Sequence, residues 1–351
     1  MKQQIAPKNG PQQSVLVTGG AGFIGSNFIP YFLNKYPQYR IVNLDKLTAA
    51  ADLSRLEDVA DCENYVFVHG DICNRELVAH LFRAHDIKGV IHFAAESHVD
   101  NSIVAPEAFV RTNVHGTFTL LDVAREQWME GPHCKKRGCE DARFLHVSTD
   151  EVYGTLGARG YFTETTPYAP NSPYSASKAG SDFLVRSYWH TFGLNVVTTN
   201  CSNNYGPKQH TEKLIPTIIS RALAFKEIPL YGDGKNVRDW LYVIDHCQAL
   251  DSVFHRGQSG ETYNIGGDNE RRNIDIAETV CTILDRVAPP PAQGATVKSY
   301  RELIRFVSDR PGHDFRYAID ATKIKTELGW KAEESFASGI EKTVTWYVNY
   351  F

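Results

Sequence analysis

Residues 14–25 read SVLVTGGAGFIG, from Ser14 to Gly25. Ser14–Thr18 is a short apolar run rich in β-branched residues. Gly19, Gly22 and Gly25 follow at G-x-x-G-x-x-G spacing, where a helical pattern over Ile24–Tyr36 begins. Glycines at such a junction let the backbone turn tightly and approach a pyrophosphate, whose charge then sits on unpaired N–H groups at the helix start. A glycine motif alone is weak evidence, so its surroundings decide. Further β-rich runs lie at Arg40–Leu44, Tyr65–His69, Gly89–Phe93 and Arg143–Ser148. Most are continuously apolar, as strands covered on both faces must be. Helical patterns at Arg75–His85 and Ala108–Gln127 are long enough to cross between parallel strands. This repetition predicts an α/β fold built on a doubly wound parallel sheet.

The chain has 351 residues, enough for about two domains. With 42% hydrophobic residues it can bury a core. Lys and Arg number 37 against 41 Asp and Glu, a net charge of −4, so no basic field exists to attract nucleic acid or anionic lipid. No run is long and apolar enough for a membrane span, and the polar start carries no targeting pattern. Seven cysteines, an odd and scattered count, argue for reduced thiols in a cytoplasmic protein. After residue 206 Pro and Gly break the chain into shorter pieces, with helical patterns at Thr217–Lys226, Ile244–His255, Ile274–Arg286 and Ser335–Tyr347. The expected organisation is a loose arm over 1–13, a Rossmann-type dinucleotide domain over 14–205, and a smaller mixed α/β domain over 206–351 that binds substrate, with some chain crossing back. Ala288–Ala295 reads as an exposed linker.

The second strand ends at Asp45, where a carboxylate can accept from both ribose hydroxyls and repel a 2′-phosphate, which favours NAD over NADP. Lys46 beside it pulls the other way. Asp71-Ile72 and Phe93-Ala94-Ala95-Glu96-Ser97 stand at the carboxyl ends of the third and fourth strands, where ligands lie in such sheets. Tyr174 and Lys178 share one face of a helix at i, i+4 spacing. A nearby ammonium favours the phenolate, making Tyr174 a credible base for an alcohol proton.

Tyr174-x-x-x-Lys178, the glycine loop and Ser148-Thr149 together match the extended short-chain dehydrogenase/reductases. Within that group the chain resembles the dTDP-glucose 4,6-dehydratases from about Val15 to Tyr350. The resemblance rests on VLVTGGAGFIGSN, HFAAESHVD, VSTDEVYG, NSPYSASKAGSD, NCSNNYGP, VRDWLYV and DRPGHD-RYAID. It implies that Thr149, Asp150, Glu151, Tyr174 and Lys178 are catalytic. NAD is implied against Gly19, Gly22, Phe23, Ile24, Gly25, Asp45, Lys46, Thr48, Asp71 and Ile72. It is also implied against Phe93, Ala94, Ala95, Ser97, Thr112, Tyr174, Lys178 and Asn204. The nucleotide-sugar is implied against Ser97, Thr149, Asn203, Lys213, Leu214, Tyr231, Arg238, Asn273, Arg310 and His313. Lys213 and Arg238 suit a diphosphate on chemical grounds. Homodimerisation through the helices near 108–127 and 174–191 is implied too, and no metal is.

Several positions depart from the family pattern: Ala49-Ala50-Ala51-Asp52, Asn101 after HVD, and Lys208-Gln209-His210-Thr211. These leave the chemistry intact and put the base in question, so dTDP-glucose ranks first and UDP-glucose second. A non-catalytic dinucleotide sensor would keep the glycine loop without needing the five catalytic residues together. The insert His133-Cys134-Lys135-Lys136-Arg137-Gly138-Cys139 reads as a solvated basic loop rather than a zinc site, which wants four ligands.

Overall fold

The computed structural model describes residues 13–291 and 297–351, so the expected N-terminal arm, apart from Gln13, and residues 292–295 of the proline-rich linker lie outside the described residues. The chain forms two compact units. The first comprises 1–149, 173–200 and 247–263, and the second 150–172, 201–246 and 264–351.

The strands of the first unit are β1 (Gln13–Thr18), β2 (Tyr39–Asp45), β3 (Tyr65–His69), β4 (Ile87–His92), β5 (Met129–Gly131), β6 (Cys134–Lys135), β7 (Arg143–Thr149) and β8 (Val196–Cys201). The main sheet runs β12-β8-β7-β4-β1-β2-β3, where β12 is Thr262–Ile265. The pairs β2/β3, β1/β2, β1/β4 and β4/β7 are parallel. Chain order reverses between β1 and β4, the point where such sheets open a crevice at their carboxyl edge. Val15, Leu16 and Val17 have no exposed surface, in keeping with a central strand covered on both faces. On one side Leu16, Val42 and Val90 pack with Leu120, Leu121, Ala124 and Trp128. Asn74 caps the helix Arg75–Ala84 by accepting from Leu77 N–H.

One expectation needs correction and another a refinement. The helix expected over Ala108–Gln127 is not uniform: a turn over Pro106–Phe109 leads into a π-helical segment, Val110–Gly116, before the α-helix Thr117–Trp128. The wider turn coincides with Asn113, whose buried side chain bonds both backbone groups of Glu96 and the Ser177 hydroxyl. The insert 133–139 is largely exposed, as expected, but its Cys134–Lys135 pairs with Met129–Gly131 as the antiparallel hairpin β5/β6, and Cys139 at its end is buried with Lys88 Nζ 3.3 Å from its sulfur.

The second unit carries β9 (Asn203–Tyr205), β10 (Ile228–Tyr231), β11 (Val237–Tyr242), β13 (Glu270–Arg272) and β14 (Ile304–Val307). These form a three-stranded sheet β13-β11-β9 and a parallel pair β10/β14. The helices Leu214–Leu223, Asn273–Val287 and Phe336–Tyr350 close its core through Ile215, Ile219, Val280, Leu284, Ile340 and Val344.

Candidate functional site

The first unit builds a phosphate loop between β1 and the helix Phe23–Lys35. Gly19 has φ +72°, and a Cβ there would lie 2.6 Å from Ala94 N; one at Gly25 would lie 2.6 Å from Gly19 O. Only glycine lets these backbones approach so closely. The loop is braced by Asp45, which accepts from Ala21 N–H at 2.9 Å and Leu47 N–H at 2.8 Å. Gly22 caps the helix without a side-chain bond, and the N–H groups of a helix's first turn, which lack intrahelical partners, suit an anion. That cradle, with the Asp45 carboxylate at the end of β2, fits a dinucleotide.

Lys46 does not contribute a free cation beside Asp45. Its ammonium lies 2.9 Å from Asp71. Burial pushes the Asp71 carboxyl up, but the Cys73 N–H and Lys46 more than offset it and hold the carboxyl below its usual range. Phe93 and Ala94 continue from β4 with their N–H groups on Thr18, and Ile72 is buried. Buried His92 joins Thr18 and Thr117 through hydrogen bonds of 2.7 and 2.9 Å, tying the phosphate loop to the helix after the π-segment, which carries Thr112. Thr48, Ala95 and Ser97 occupy the loops after β2 and β4. Burial, with the neighbouring His146 ring and the Lys178 ammonium, pushes the His92 pKa well down, so the ring is neutral.

Thr149 closes β7, and Tyr174 and Lys178 lie in the first turns of the helix Pro173–Phe192; all three are buried. The Tyr174 ring packs edge-on to Phe109 at 6.3 Å beside Val99. Lys178 Nζ donates to Val147 O at 2.9 Å, which binds the ammonium to the end of β7.

Asp150 and Glu151 follow Thr149 directly and open a 3₁₀ turn, Asp150–Tyr153, in the second unit. Asp150 is buried, while Glu151 keeps part of its surface accessible. Burial pushes the Glu151 carboxyl up, opposed by Arg310, Lys213 and Arg238, and the net shift is upward. Arg238 is itself buried. It donates to the carbonyls of Val237, Asp314 and Phe315, and its guanidinium stacks 4.2 Å over the Tyr317 ring. Lys213 stands at the cap of the helix Leu214–Leu223 and Asn273 opens Asn273–Val287. Tyr231, ending β10, faces Arg310 at 5.9 Å and His313 at 6.0 Å. His313 is itself 2.6 Å from Asp309. Among the described residues, the buried side-chain oxygens of Asn203, Asn204 and Asn273 take no hydrogen bond. Buried polar atoms of that kind call for a ligand or water.

Sequence reasoning passed over His92, His146 and Asp182, which with Ser148 form a buried polar layer behind Thr149 and Lys178. The available signal was Asp182 itself, an acid one helical turn beyond Lys178 on the same face. Among the described residues no group of His, Cys, Asp and Glu could hold a metal ion.

The profile of the GDP-mannose 4,6 dehydratase family matches residues 16–343. A dTDP-glucose 4,6-dehydratase of Xanthomonas campestris is 54% identical over 333 residues, covering 95% of this chain and 92% of that protein. This chain belongs to the dTDP-glucose 4,6-dehydratase family. Another member, dTDP-glucose 4,6-dehydratase 1 of Escherichia coli, is 53% identical over 344 residues, with 95% and 92% covered. Among solved members, the Streptomyces venezuelae dTDP-glucose 4,6-dehydratase, crystallised with NAD, is 43% identical with a TM-score of 0.85, covering 96% of this chain and 97% of its own. The Bacillus anthracis dTDP-glucose 4,6-dehydratase in complex with NAD is 45% identical with a TM-score of 0.82, covering 96% and 97%.

Proposed function

We propose that this chain converts dTDP-glucose into dTDP-4-keto-6-deoxyglucose and water. The observation that carries the reading is the run Thr149-Asp150-Glu151: a hydroxyl closing the strand beside the Tyr174/Lys178 helix, followed at once by two carboxyl groups, of which Glu151 is pushed up by burial and faces three cations.

The C5 hydrogen of glucose is not acidic, so C4 is first oxidised to a ketone that can take up negative charge as an enolate. The glycine loop, Asp45 and Lys178 would hold NAD, which would supply hydride acceptance at C4 and its return at C6. Tyr174 takes the C4 hydroxyl proton, favoured by the Lys178 ammonium, while Thr149 hydrogen-bonds the C4 oxygen. Ionised Glu151 removes the C5 proton. Protonated Asp150 gives its proton to the C6 hydroxyl, which leaves as water. Glu151 then returns its proton to C5, and Asp150 is recharged by the equivalent released from the C4 hydroxyl, so atoms and electrons balance. Two neighbouring carboxyl groups in a partly dry site resist ionising together, which divides the roles.

Lys213, Arg238 and Arg310 supply the charge that a sugar-nucleotide diphosphate needs, and the open Asn203 and Asn273 oxygens supply acceptors. Residues up to about 200 hold NAD and most of the catalytic groups, and the later chain supplies most of the sugar-nucleotide contacts. The protein works as a homodimer. Support comes from exposed Val110, Phe118 and Phe183 on the π-segment and its neighbouring helices, and from a largely apolar cavity of about 680 Å³ that Val110, Val114, Phe118 and Leu184 line. Seven cysteines, odd in number and scattered along the chain, agree with a reducing cytoplasm.

One assay tests the function: purified protein with NAD is given dTDP-glucose or UDP-glucose, and the 4-keto-6-deoxy product is measured. Turnover of dTDP-glucose is expected. No product from either nucleotide sinks the reading, and product from UDP-glucose alone reassigns the base.

A further inference from the structure

The helix Pro173–Phe192 carries Tyr174 and Lys178 near its start, and one turn further on it carries Asp182, 5% exposed. A buried carboxylate is costly unless its oxygens are satisfied. Here each oxygen has a partner on β7: Oδ1 lies 2.9 Å from His146 Nε2, and Oδ2 accepts from the Ser148 hydroxyl at 2.9 Å. Burial and the Lys178 charge push the His146 pKa well down, so its ring is neutral and Nε2–H is the donor to the carboxylate. The Ser181 hydroxyl lies 3.3 Å from the same nitrogen and donates to Lys178 O at 2.7 Å. Lys178 Nζ completes the layer by donating to Val147 O.

Three consecutive residues of β7, His146, Val147 and Ser148, are therefore bonded to one face of the catalytic helix. The residue that follows is Thr149. Each of these bonds runs between the strand end and the helix.

We propose that Asp182, with Ser148 and His146, is a positioning residue for C4 oxidation: it clamps the end of β7 to the helix, setting Thr149 against Tyr174 and Lys178. The inference rests on the proposed roles of those three residues. Hydride transfer is steep in geometry, since a misplacement of about 1 Å can cost on the order of 10²-fold. Two charge-assisted or carboxylate-directed bonds at the strand end are stiffer than the neutral bonds they would replace.

Ser148→Ala cuts one of the two bonds while leaving Asp182 bonded to His146, so it disturbs the core less than any change at Asp182. It should lower kcat for dTDP-glucose about 10-fold to 100-fold, leave KM and the affinities for dTDP and NAD within about twofold, and lower the melting temperature by only a few degrees, because one oxygen of Asp182 loses its bond. Substrate deuterated at C4 should show a larger isotope effect on kcat in this variant, because the hydride step becomes limiting. Ser148→Thr, which restores the hydroxyl, should recover most of the rate. An unchanged kcat and isotope effect in Ser148→Ala overturns the proposal. So does a loss that falls equally on nucleotide affinity and melting temperature and that threonine does not rescue, since that pattern marks a purely structural bond. Parent enzyme run alongside separates this failure from failure of the functional reading: if the parent forms no product, the function is wrong, and if it does, only the clamp is.

Discussion

The ammonium of Lys46 and the carboxylate of Asp71 form an ion pair at 2.9 Å, one residue past the Asp45 that closes β2. The cation that would otherwise soften Asp45's discrimination against a 2′-phosphate is already neutralised. NADP should therefore support turnover poorly. Lys46→Ala should leave the NAD-to-NADP preference within about threefold, whereas Asp45→Ser should shift it toward NADP by roughly tenfold or more. Cofactor titrations of the two variants check this, and a strong loss of NAD binding in Lys46→Ala would contradict it.

Blocking different steps should give different products. Tyr174→Phe removes the group that takes the C4 hydroxyl proton, so reduced nicotinamide should not form when dTDP-glucose is added. Glu151→Gln leaves that step in place and stops C5 proton removal, so reduced nicotinamide absorbance should build up to a stable level. Rapid-mixing absorbance distinguishes the two, and normal product formation by Glu151→Gln would remove Glu151 from the mechanism.

Because burial raises the Glu151 carboxyl, the pH profile should carry its mark. The base works only when ionised, so the rate falls as pH drops through the raised value. Exchange of the C5 hydrogen with deuterated solvent should decline from a midpoint above the ordinary glutamate value of about 4.3. A midpoint at or below that value would show that the three cations outweigh burial.

Asp251 anchors a separate buried knot in the first unit, accepting from Lys35 at 2.6 Å, Tyr31 at 3.0 Å and Tyr36 at 3.2 Å. Burial raises the Tyr31 pKa to about 12. For Asp251 burial pushes upward as well, but the bonds from His255 and Lys35 prevail and hold the carboxyl below its usual range. A depressed folded-state pKa contributes stability that is present above the unfolded value and is lost as pH falls through the folded one. Asp251→Asn should cost about 1–3 kcal/mol at neutral pH and flatten the acid limb of the stability curve. Denaturant melts at neutral and acidic pH measure both.

Phe118 and Phe183 are 40% and 58% exposed on the face proposed to pair two copies. Replacing Phe183 by Glu should turn the dimer into monomer at low micromolar concentration. Light scattering reads the mass, and a parent protein that is already monomeric would defeat the pairing.

Readability from sequence followed the range of the forces involved. The Gly19/Gly22/Gly25 turn and the apolar runs of β1 to β4 and β7 are local patterns, so their boundaries agree with the structure to within a residue or two. The π-segment over Val110–Gly116 was hidden because its cause, Asn113 bonding to Glu96 and Ser177, lies in partners outside the segment. The hairpin in the Cys-Lys-Lys-Arg insert was hidden for a similar reason, since the burial of Cys139 depends on Lys88 and on space left by neighbouring elements.

By itself the sequence determined the doubly wound class, the glycine cradle and the chemical types along Ser148-Thr149-Asp150-Glu151 and Tyr174-x-x-x-Lys178, because backbone freedom, helix periodicity and side-chain chemistry are carried by neighbouring residues. Only the tertiary structure decided that Lys46 is paired to Asp71, that Glu151 is pushed up among three cations, and that Asp182 bonds β7 to the catalytic helix. Charge state and spacing depend on burial and on partners distant in the chain, and folding supplies both.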